Sequence, residues 1–428
     1  MYKYLCRNGM DGNESLPQIT DDPFASVRIK EYKNLVLGRF FFIMALRMMG
    51  TLVGWWIYEL TNDPFAIGLI GLSEVIPALS MALYSGHVID VSEKRGLLLK
   101  TVSLYALCAG ILVTLASPFM RHHLTEHQVS IGIYAVIFCT GIIRSFTGPN
   151  FTALIGHIVP RQLLQNATTW SQGSWLSASV TGHAIGGFLI ALIGNMGTLI
   201  VICSLLVVAF FILAQLKPKP VTKPLGEGRT WESVQEGLRF VFKTRELLGA
   251  FSLDMFAVLF GGAVAMVPVY ARDILKIGAI GFGWLNAAAD IGSIIMVVLL
   301  TLFPIRKNQG RKLLFAVAGF GLCIIVFGIS RWFILSFFAL MIAGMLDGVS
   351  VVVRGTVMQL KTPDHLRGRV GSVSSMFVNS SNELGQFESG VAARLLGVVP
   401  SVVFGGCMTL AVVIATWIKS PSLRKFEY

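Results

Sequence analysis

The sequence predicts an all-α membrane protein with twelve transmembrane helices in two pseudo-symmetric six-helix bundles. Three observations lead to this fold class: the composition, the length of the apolar runs and an internal repeat. Apolar residues make up 54% of the 428 positions and charged residues only 14%, too few charges to cover the surface of a water-soluble chain of this length. The mean hydropathy of +0.70 agrees with a chain that lies largely in a bilayer.

Apolar runs of about 20 residues, the length that crosses a hydrocarbon core of ~30 Å, recur along the whole chain. They predict twelve spans, each long enough to be a transmembrane helix. The spans are 35–60, 66–89, 97–117, 129–157, 166–190, 195–215, 247–271, 279–303, 312–330, 332–358, 370–394 and 398–418.

The second half of the chain repeats the first with a shift of 203 residues, without a gap over about 60 positions. Internal repeats in an apolar chain are typical of transporters built from two related bundles, whose binding site lies where the bundles meet. Four glycines of the first half fall on four of the second: Gly141 on Gly344, Gly182 on Gly385, Gly187 on Gly390 and Gly194 on Gly397.

The repeat and the polar segments divide the chain into five predicted units. The linker between the bundles opens with prolines and lysines, which cannot continue a helix, and then forms an amphipathic helix expected to lie along the membrane surface. The units are a cytoplasmic N-terminal segment at 1–32, the first bundle at 33–215, the linker at 216–246, the second bundle at 247–418 and a cytoplasmic tail at 419–428.

The net charge of +12 does not indicate a nucleic-acid partner. With both termini in the cytoplasm, the cytoplasmic segments hold about 26 of the 35 Lys and Arg residues. Positive charge left on the cytoplasmic side orients membrane helices, so the basicity reflects topology. We expect a multi-pass protein of the bacterial inner membrane. The six cysteines are scattered singly and match neither a disulfide framework nor a metal site, and no cofactor is expected.

Several ionisable residues stand inside the predicted spans, where each would cost about 2.5–3.5 kcal/mol at the centre of a lipid-exposed helix. They must pair with one another or face water, so the sequence predicts a central polar cavity. The residues are Arg47, Glu74, Arg144, Asp254, Asp290, Asp347, Arg354, Glu383 and Glu388.

The eleventh span carries a polar stripe in which Ser375, Asn379, Asn382 and Gln386 follow helical spacing. Under the shift of 203 residues, His183 of the fifth span is equivalent to Gln386. We expect the two stripes to line opposite sides of one cavity.

Proton coupling requires a carboxylate whose proton affinity changes with conformation. Asp254 is the first candidate, since it has no charged neighbour within one helical turn, and Glu74 is the second. The repeat also places Arg144 and Asp347 at equivalent mid-span positions. For every buried charge a purely structural ion pair remains the alternative.

The loop between the second and third spans reads Gly86-His-Val-Ile-Asp90-Val-Ser-Glu-Lys94-Arg95. An acid four residues after a glycine and a basic pair four residues later suit a charge-paired latch that holds two helices together in one conformation only. Glu93 offers the basic pair a second partner. In a twelve-span repeat this loop resembles the signature of the major facilitator superfamily.

A second signature of that superfamily has the form R-x-x-x-G, and Arg144-Ser-Phe-Thr-Gly148 in the fourth span resembles it. In the family this arginine is associated with proton coupling. Stretches such as Tyr58-Glu-Leu-Thr and Ser381-Asn-Glu-Leu-Gly385 are similar to the branch that includes enterobactin exporters and macrolide efflux proteins.

Gly182-His-Ala-Ile-Gly186-Gly187 in the fifth span resembles the G-P-x-x-G-G signature of exporters. Its glycines permit close contact between helices. The departure is His183, which stands where the family pattern has proline.

The resemblance implies a monomeric proton-coupled antiporter that exports a siderophore or a drug-like compound by alternating access. Its partners would be the bilayer, a small-molecule substrate and protons. Because His183 breaks the exporter signature, an importer or facilitator of a small solute, iron chelate or lysophospholipid is the alternative. A receptor would keep the cavity without needing the latch. An enzyme is not expected, since the sequence offers no nucleophile–base pair or phosphate-binding loop.

Overall fold

A computed structural model describes residues 22–219, 230–305, 307–363 and 366–427. Every regular element in these ranges is helical, as the apolar runs predict. Residues 1–21 of the predicted N-terminal segment and 220–229 of the predicted linker lie outside them. The helices are α1 (Lys30–Thr61), α2 (Pro64–Val91), α3 (Lys94–Ala116), α4 (Pro118–His123), α5 (Glu126–Ile158), α6 (Leu164–Leu213), α7 (Thr230–Lys243), α8 (Arg245–Phe260), α9 (Val267–Val269), α10 (Gly278–Leu302), α11 (Gln309–Ile329), α12 (Phe333–Lys361), α13 (Arg367–Leu396), α14 (Val398–Lys419) and α15 (Pro421–Arg424).

Ten helical segments of the described chain are long and apolar enough to cross a membrane, against the twelve spans predicted. Two features account for the difference. α6 has 50 residues and covers two predicted spans, with the non-helical Gly194 between them. α13 has 30 residues but carries the polar stripe, which makes it too polar to be counted among the ten. The arrangement of twelve spans in two bundles stays a prediction.

Gly194 and Gly397 share an unusual backbone conformation. Gly194, with φ 68° and ψ −177°, interrupts α6, and Gly397, with φ 88° and ψ 157°, separates α13 from α14. Glycine adopts this region readily, whereas residues with a Cβ avoid it. Since the two glycines are 203 residues apart, the repeat in the sequence is also a repeat of backbone conformation.

Two helix crossings between the halves depend on facing glycines. α6 meets α10 where a Cβ on Gly187 would stand 2.7 Å from Cα of Gly283. α13 meets α2 where a Cβ on Gly390 would stand 2.8 Å from Cα of Gly68. Backbones this close leave no room for a methyl group. Because Gly187 and Gly390 are equivalent in the repeat, the two crossings correspond to each other.

The other signature glycines differ in their surroundings. A Cβ on Gly182 would stand 2.8 Å from the carbonyl oxygen of Met44, and one on Gly186 would stand 3.3 Å from Cα of Met48, so both face α1. Gly148 has no described atom within 4 Å of the position of a Cβ, so no close packing requires a glycine there.

The apolar core joins the two halves on one side of the molecule. One cluster, which includes Trp56 and Tyr270, runs through the first half and continues into the part of the second half where α10 begins. A separate cluster, which includes Phe251 and Val370, fills the opposite end of the second half. We call the side where α1 ends and α10 begins the closed side, and the side where α6 and α13 begin the open side.

The linker helix α7 packs on α13. A Cβ on Gly237 would stand 3.0 Å from the carbonyl oxygen of Arg369, and Glu236 forms an ion pair with the Arg369 side chain. Of the predicted apolar face, Leu238 is half-buried and Phe242 is exposed, whereas the side chains of Trp231 and Val234 lie outside the described ones. The predicted helix is therefore present.

Gly187→Ala tests the α6–α10 crossing, with Gly173→Ala on the same helix as the matched control. The Cβ at position 187 would overlap the backbone of α10, so we expect the free energy of unfolding to fall by about 1–3 kcal/mol, as at other overpacked sites. No described atom lies within 4 Å of a Cβ on Gly173, so alanine should be neutral or stabilising there. Unfolding of the purified variants, followed by tryptophan fluorescence, measures both. Equal stabilities would contradict the crossing.

Candidate functional site

Arg144 lies halfway along α5, between carboxylates of both halves. Its Nη1 donates to the carboxylate of Glu74 in α2 and, over 2.7 Å, to Oε1 of Glu383 in α13. Gln386 donates to the other oxygen of Glu383 at 3.3 Å. The Arg144 side chain is 41% exposed, whereas that of Glu383 is 8% exposed. We call Arg144, Glu74, Glu383 and Gln386 the Arg144 junction.

Glycines bring the three helices of this junction together. A Cβ on Gly141, about one turn before Arg144, would stand 2.6 Å from the carbonyl oxygen of Glu74. A Cβ on Gly71, about one turn before Glu74, would stand 2.5 Å from the carbonyl oxygen of Glu383. Since a glycine precedes two of the charged residues, α2, α5 and α13 approach closely enough for their side chains to meet.

His183 forms a second polar contact between the halves. Its Nδ1 lies 2.7 Å from the hydroxyl oxygen of Thr51 in α1, and its Nε2 lies 3.7 Å from Oδ2 of Asp290 in α10. Ser179, one turn before His183 on α6, donates its hydroxyl to the same Asp290 oxygen at 2.5 Å. We call Thr51, Ser179, His183 and Asp290 the His183 junction.

Arg47 of α1 lies between the two junctions. Its guanidinium stacks over the ring of Trp175 at 4.9 Å. Its charge acts on Asp290 and also on Arg144, Glu74 and Glu383. Arg47 is therefore within electrostatic reach of the charged groups of both junctions, and a change in its position would act on each of them.

The repeat relates the two junctions to each other. His183 is equivalent to Gln386, and both lie four residues before a glycine of the inter-half crossings, Gly187 and Gly390. One junction lies where α6 meets α10, and the other where α13 meets α2. Each junction thus lies about one helical turn from a glycine crossing, towards the open side.

A third polar group lies wholly within the second half. Arg354 of α12 forms an ion pair with Asp254 of α8, and both side chains are buried. Ser350 donates to Oδ1 of Asp254 at 3.4 Å. Asp347 shares with Asp254 and Ser350 the lining of a cavity of about 10 Å³, room for one water molecule. The sequence showed no charged neighbour for Asp254 along its own helix, and the structure supplies one from another helix.

The polar stripe of α13 divides into two parts. Gln386 belongs to the Arg144 junction, whereas Asn379 and Asn382 lie further towards the open side and are exposed. An exposed amide halfway along a span is unfavourable in lipid. These two side chains therefore suit the wall of the predicted polar cavity, which stays a prediction.

The predicted latch lies between α2 and α3, with Gly86 in the last turns of α2. The side chain of Asp90 lies outside the described ones, so its pairing stays a prediction. Lys94 is buried and donates to a carbonyl oxygen of α2 at 3.4 Å. Arg95 donates to the carbonyl oxygen that follows α6 at 2.6 Å.

Glu93 attaches the linker to this loop. Its carboxylate accepts the backbone N–H groups of Arg95 and Gly96 at the start of α3, and that of Lys219 at 3.0 Å. Burial would raise the pKa of Glu93, but these three donors and the charge of Arg95 outweigh it, so the pKa lies below its ordinary value. The signal in the sequence is an acid immediately before the start of a helix.

Sequence reasoning missed the polar contacts of the closed side. Tyr58 donates its hydroxyl to Asp273, and Arg272 donates to the carbonyl oxygen of Tyr58 at 3.2 Å. Arg394, which its place near the outer end of the eleventh span marks as a structural or gating residue, lies 4.0 Å from the carboxylate of Asp63, a partner that the sequence did not indicate. Each contact joins the two halves at a span end, where no periodic pattern marks a residue. Sequence reasoning also missed Thr51, because one hydroxyl residue in an apolar run gives no pattern that would mark it.

Comparison with known proteins gives a family and a set of relatives. The model of a family described as transmembrane secretion effector, within the major facilitator superfamily, matches residues 22–427. The enterobactin exporter EntS of Shigella flexneri is 24% identical over 407 residues, which cover 92% of this chain and 93% of that protein. EntS of Escherichia coli O1:K1 / APEC is 23% identical over 407 residues, with the same coverage.

Solved transporters share the fold. A POT family transporter in complex with 5-aminolevulinic acid has a TM-score of 0.72 at 11% identity and covers 92% of this chain and 96% of its own. The nucleoside transporter NupG has a TM-score of 0.69 at 14% identity, covering 92% and 99%. A bacterial homologue of the human lysosomal transporter Spinster, inward-facing and unoccupied, has a TM-score of 0.67 at 14% identity, covering 92% and 95%. Identities this low show the fold alone.

A double-mutant cycle measures the contact between Arg144 and Glu383. Each single change, Arg144→Gln or Glu383→Gln, leaves the partner without its counter-charge, so we expect a coupling energy of about 0.5–3 kcal/mol. Unfolding in mixed detergent micelles gives the free energies. The matched cycle combines Arg144→Gln with Asp254→Asn, which belongs to a separate ion pair and should be additive. Additivity in the first cycle would show that the junction does not join the halves.

Proposed function

This chain belongs to the transmembrane secretion effector family of the major facilitator superfamily, and we propose that it exports a small organic molecule in exchange for protons. It is a multi-pass membrane transporter and not an enzyme. The Arg144 junction carries the proposal. An accessible arginine at mid-membrane depth, held by carboxylates of both halves, is rearranged whenever the halves move. Coupled transport requires such a dependence of a charged site on conformation.

We propose the predicted topology for this transporter: two six-helix bundles at 33–215 and 247–418, a cytoplasmic linker at 216–246, and cytoplasmic termini at 1–32 and 419–428 of a protein of the bacterial inner membrane. The division of α6 at Gly194 and the addition of the polar α13 turn the ten apolar spans into twelve. The distribution of Lys and Arg supports the orientation.

In this orientation the open side faces the cytoplasm. Tyr58, Asp273 and the glycine crossings then close the periplasmic side, and the exposed Asn379 and Asn382 line the cytoplasmic entrance. Transport would proceed by rocking the two halves around the junctions, which would open the closed side and bury the entrance.

The substrate class we propose is a siderophore or a drug-like compound. Support comes from the relatives, which are enterobactin exporters, and from the stacked Arg47 and Trp175 beside the junctions. The side chains that we propose to line the substrate and proton cavity are Arg47, Glu74, Arg144, His183, Asp290, Asn379, Asn382, Glu383 and Gln386, whereas the other three predicted cavity residues, Asp254, Asp347 and Arg354, form a separate polar group within the second half.

Inside-out membrane vesicles test the reaction, with enterobactin, erythromycin and ethidium as separate probes. We expect an acidic vesicle interior to drive accumulation of at least one probe, and we expect Arg144→Gln to abolish the stimulation by the pH gradient. Vesicles from cells without the protein give the background. Uptake that equilibrates without any response to the gradient would instead identify the facilitator, and gradient-driven loss of probe would identify an importer.

Cysteine labelling tests the orientation and the state. In a chain whose native cysteines are replaced, a membrane-impermeant maleimide should label Asn379→Cys several-fold faster in inside-out vesicles than in right-side-out vesicles. The matched control is His127→Cys, which is exposed in the predicted outer loop and should show the opposite preference. Equal labelling of Asn379→Cys from both sides would contradict an entrance that is open to the cytoplasm only.

A further inference from the structure

A carboxylate that couples protons to transport must change its surroundings when the halves move, because a group with the same partners in both states cannot favour either of them. Each buried carboxylate can be sorted by this requirement. The partners of Asp254 are Arg354 and Ser350, and all three residues belong to the second half. If the halves move as units, this ion pair moves with its half and stays intact. The residue that the sequence favoured for coupling is therefore the one whose direct contacts change least.

Glu383 and Asp290 both meet the requirement, but Glu383 is paired with Arg144. The carboxylate of Asp290 belongs to α10 of the second half, but its direct polar partners, Ser179 and His183, both belong to α6 of the first half. The side chain is 19% exposed, so it is largely shielded from water in this state. No cation lies in direct contact with it among the described residues. A movement of α6 against α10 removes both partners at once.

The hydrogen bonds of the His183 junction indicate a site where one proton can bind. The single hydroxyl hydrogen of Thr51 is directed to the carbonyl oxygen of Arg47 at 3.0 Å, the bond that a threonine in a helix commonly makes with the preceding turn. Thr51 therefore accepts from Nδ1–H of His183, and in the neutral ring Nε2 carries a lone pair. That lone pair faces Oδ2 of Asp290 at 3.7 Å. Two acceptors that face each other repel unless a proton lies between them.

The charges around the His183 junction also indicate that it holds one proton. Arg47 of α1 and His183 of α6 are the titratable groups that face Asp290, and from α12 the close contact is the backbone of Gly344 against Ala289. Asp347 of α12 lines the separate cavity beside Asp254. With His183 neutral, Arg47 and Arg144 oppose Glu74, Glu383 and Asp290, which leaves one uncompensated negative charge. One proton balances the group.

We propose that Asp290 binds the coupling proton and that the lone pair on Nε2 of His183, 3.7 Å from Oδ2 of Asp290, favours the protonated carboxyl group over the carboxylate. This rests on the proposed proton-coupled export. The proton stabilises the contact between α6 and α10. It therefore stabilises the conformation described here, in which the two halves are in contact on the closed side. When α10 moves away from α6, Asp290 loses the facing lone pair and its shielding from water, and the proton leaves. The histidine in place of the signature proline therefore has a chemical role.

Infrared titration of the full-length protein in liposomes tests the assignment without knowledge of the substrate. A protonated carboxyl group gives its own C=O stretching band, which shifts in deuterated water. We expect the wild type to show a band that disappears as pH rises, and we expect Asp290→Asn to lack it. The matched control is Asp254→Asn combined with Arg354→Gln, which removes a carboxylate and its cation together and should keep the band.

Two neighbouring substitutions should move the midpoint of the titration in opposite directions. Ser179→Ala removes a donor to the carboxylate, so the charged form loses support and the midpoint should rise by about one pH unit. His183→Leu removes the lone pair that disfavours the carboxylate, so the midpoint should fall by a similar amount, and His183→Gln, whose amide oxygen also presents lone pairs, should restore part of the fall. A purely structural role for these residues would not give shifts of opposite sign. These variants also serve if Asp290→Asn fails to fold.

The outcomes separate this assignment from the proposed function. A band that persists in Asp290→Asn, or that is lost only in the Asp254 control, overturns the assignment and leaves export untouched. Gradient-driven accumulation that survives in Asp290→Asn overturns it as well. A wild-type protein that accumulates none of the three probes refutes the proposed function, while the infrared band still reports whether Asp290 holds a proton.

Discussion

A charged side chain at mid-membrane depth must be paired or hydrated, and most of this structure follows from that constraint. Left in lipid, each such residue costs about 2.5–3.5 kcal/mol, so the charges in the spans cannot be placed independently of one another. Arg144 meets the constraint with Glu74 and Glu383, and Arg354 meets it with Asp254. Because the partners of Arg144 come from both halves, its pairing also fixes where the halves meet.

Glycines at the helix crossings let the backbones approach closely enough for these ion pairs to form. Side chains of ordinary length meet across a helix crossing only if the backbones approach closely, and each junction lies beside such a crossing. Gly141 and Gly71 serve the Arg144 junction, and Gly187 serves the His183 junction. The glycines and the charges are thus parts of one arrangement, in which the absence of a methyl group decides whether two distant residues form an ion pair.

The repeat explains why there are two junctions and why they differ. Equivalent helices cross at equivalent places, α6 with α10 and α13 with α2, so the scaffold supplies two similar sites. One holds an arginine between two carboxylates, and the other holds a histidine beside a single carboxylate. The first site sets one positive charge against two negative charges, whereas the second has a carboxylate with no cation in direct contact among the described residues. The pseudo-symmetric scaffold thus provides an arginine ion pair at one crossing and, in our proposal, a place for a proton at the other.

The sequence by itself determined the helical membrane fold, the 203-residue repeat and the identity of nearly all the charges that meet at the centre. Hydropathy and periodicity are local properties, so they can be read from one stretch of chain at a time. The repeat even located the left-handed glycines, Gly194 and Gly397, because a backbone that only glycine adopts leaves a glycine at both equivalent positions.

Only the tertiary structure decided which charges are partners. Asp254 has no charged neighbour within one turn of its own helix, yet Arg354 reaches it from another helix, and Asp290 faces the opposite half. The roles of Thr51, Ser179 and Glu93 arise from the partners that they contact on other helices or in the linker. An ion pair depends on distances of a few ångströms between residues far apart in the chain, and helical spacing fixes distances only within one helix.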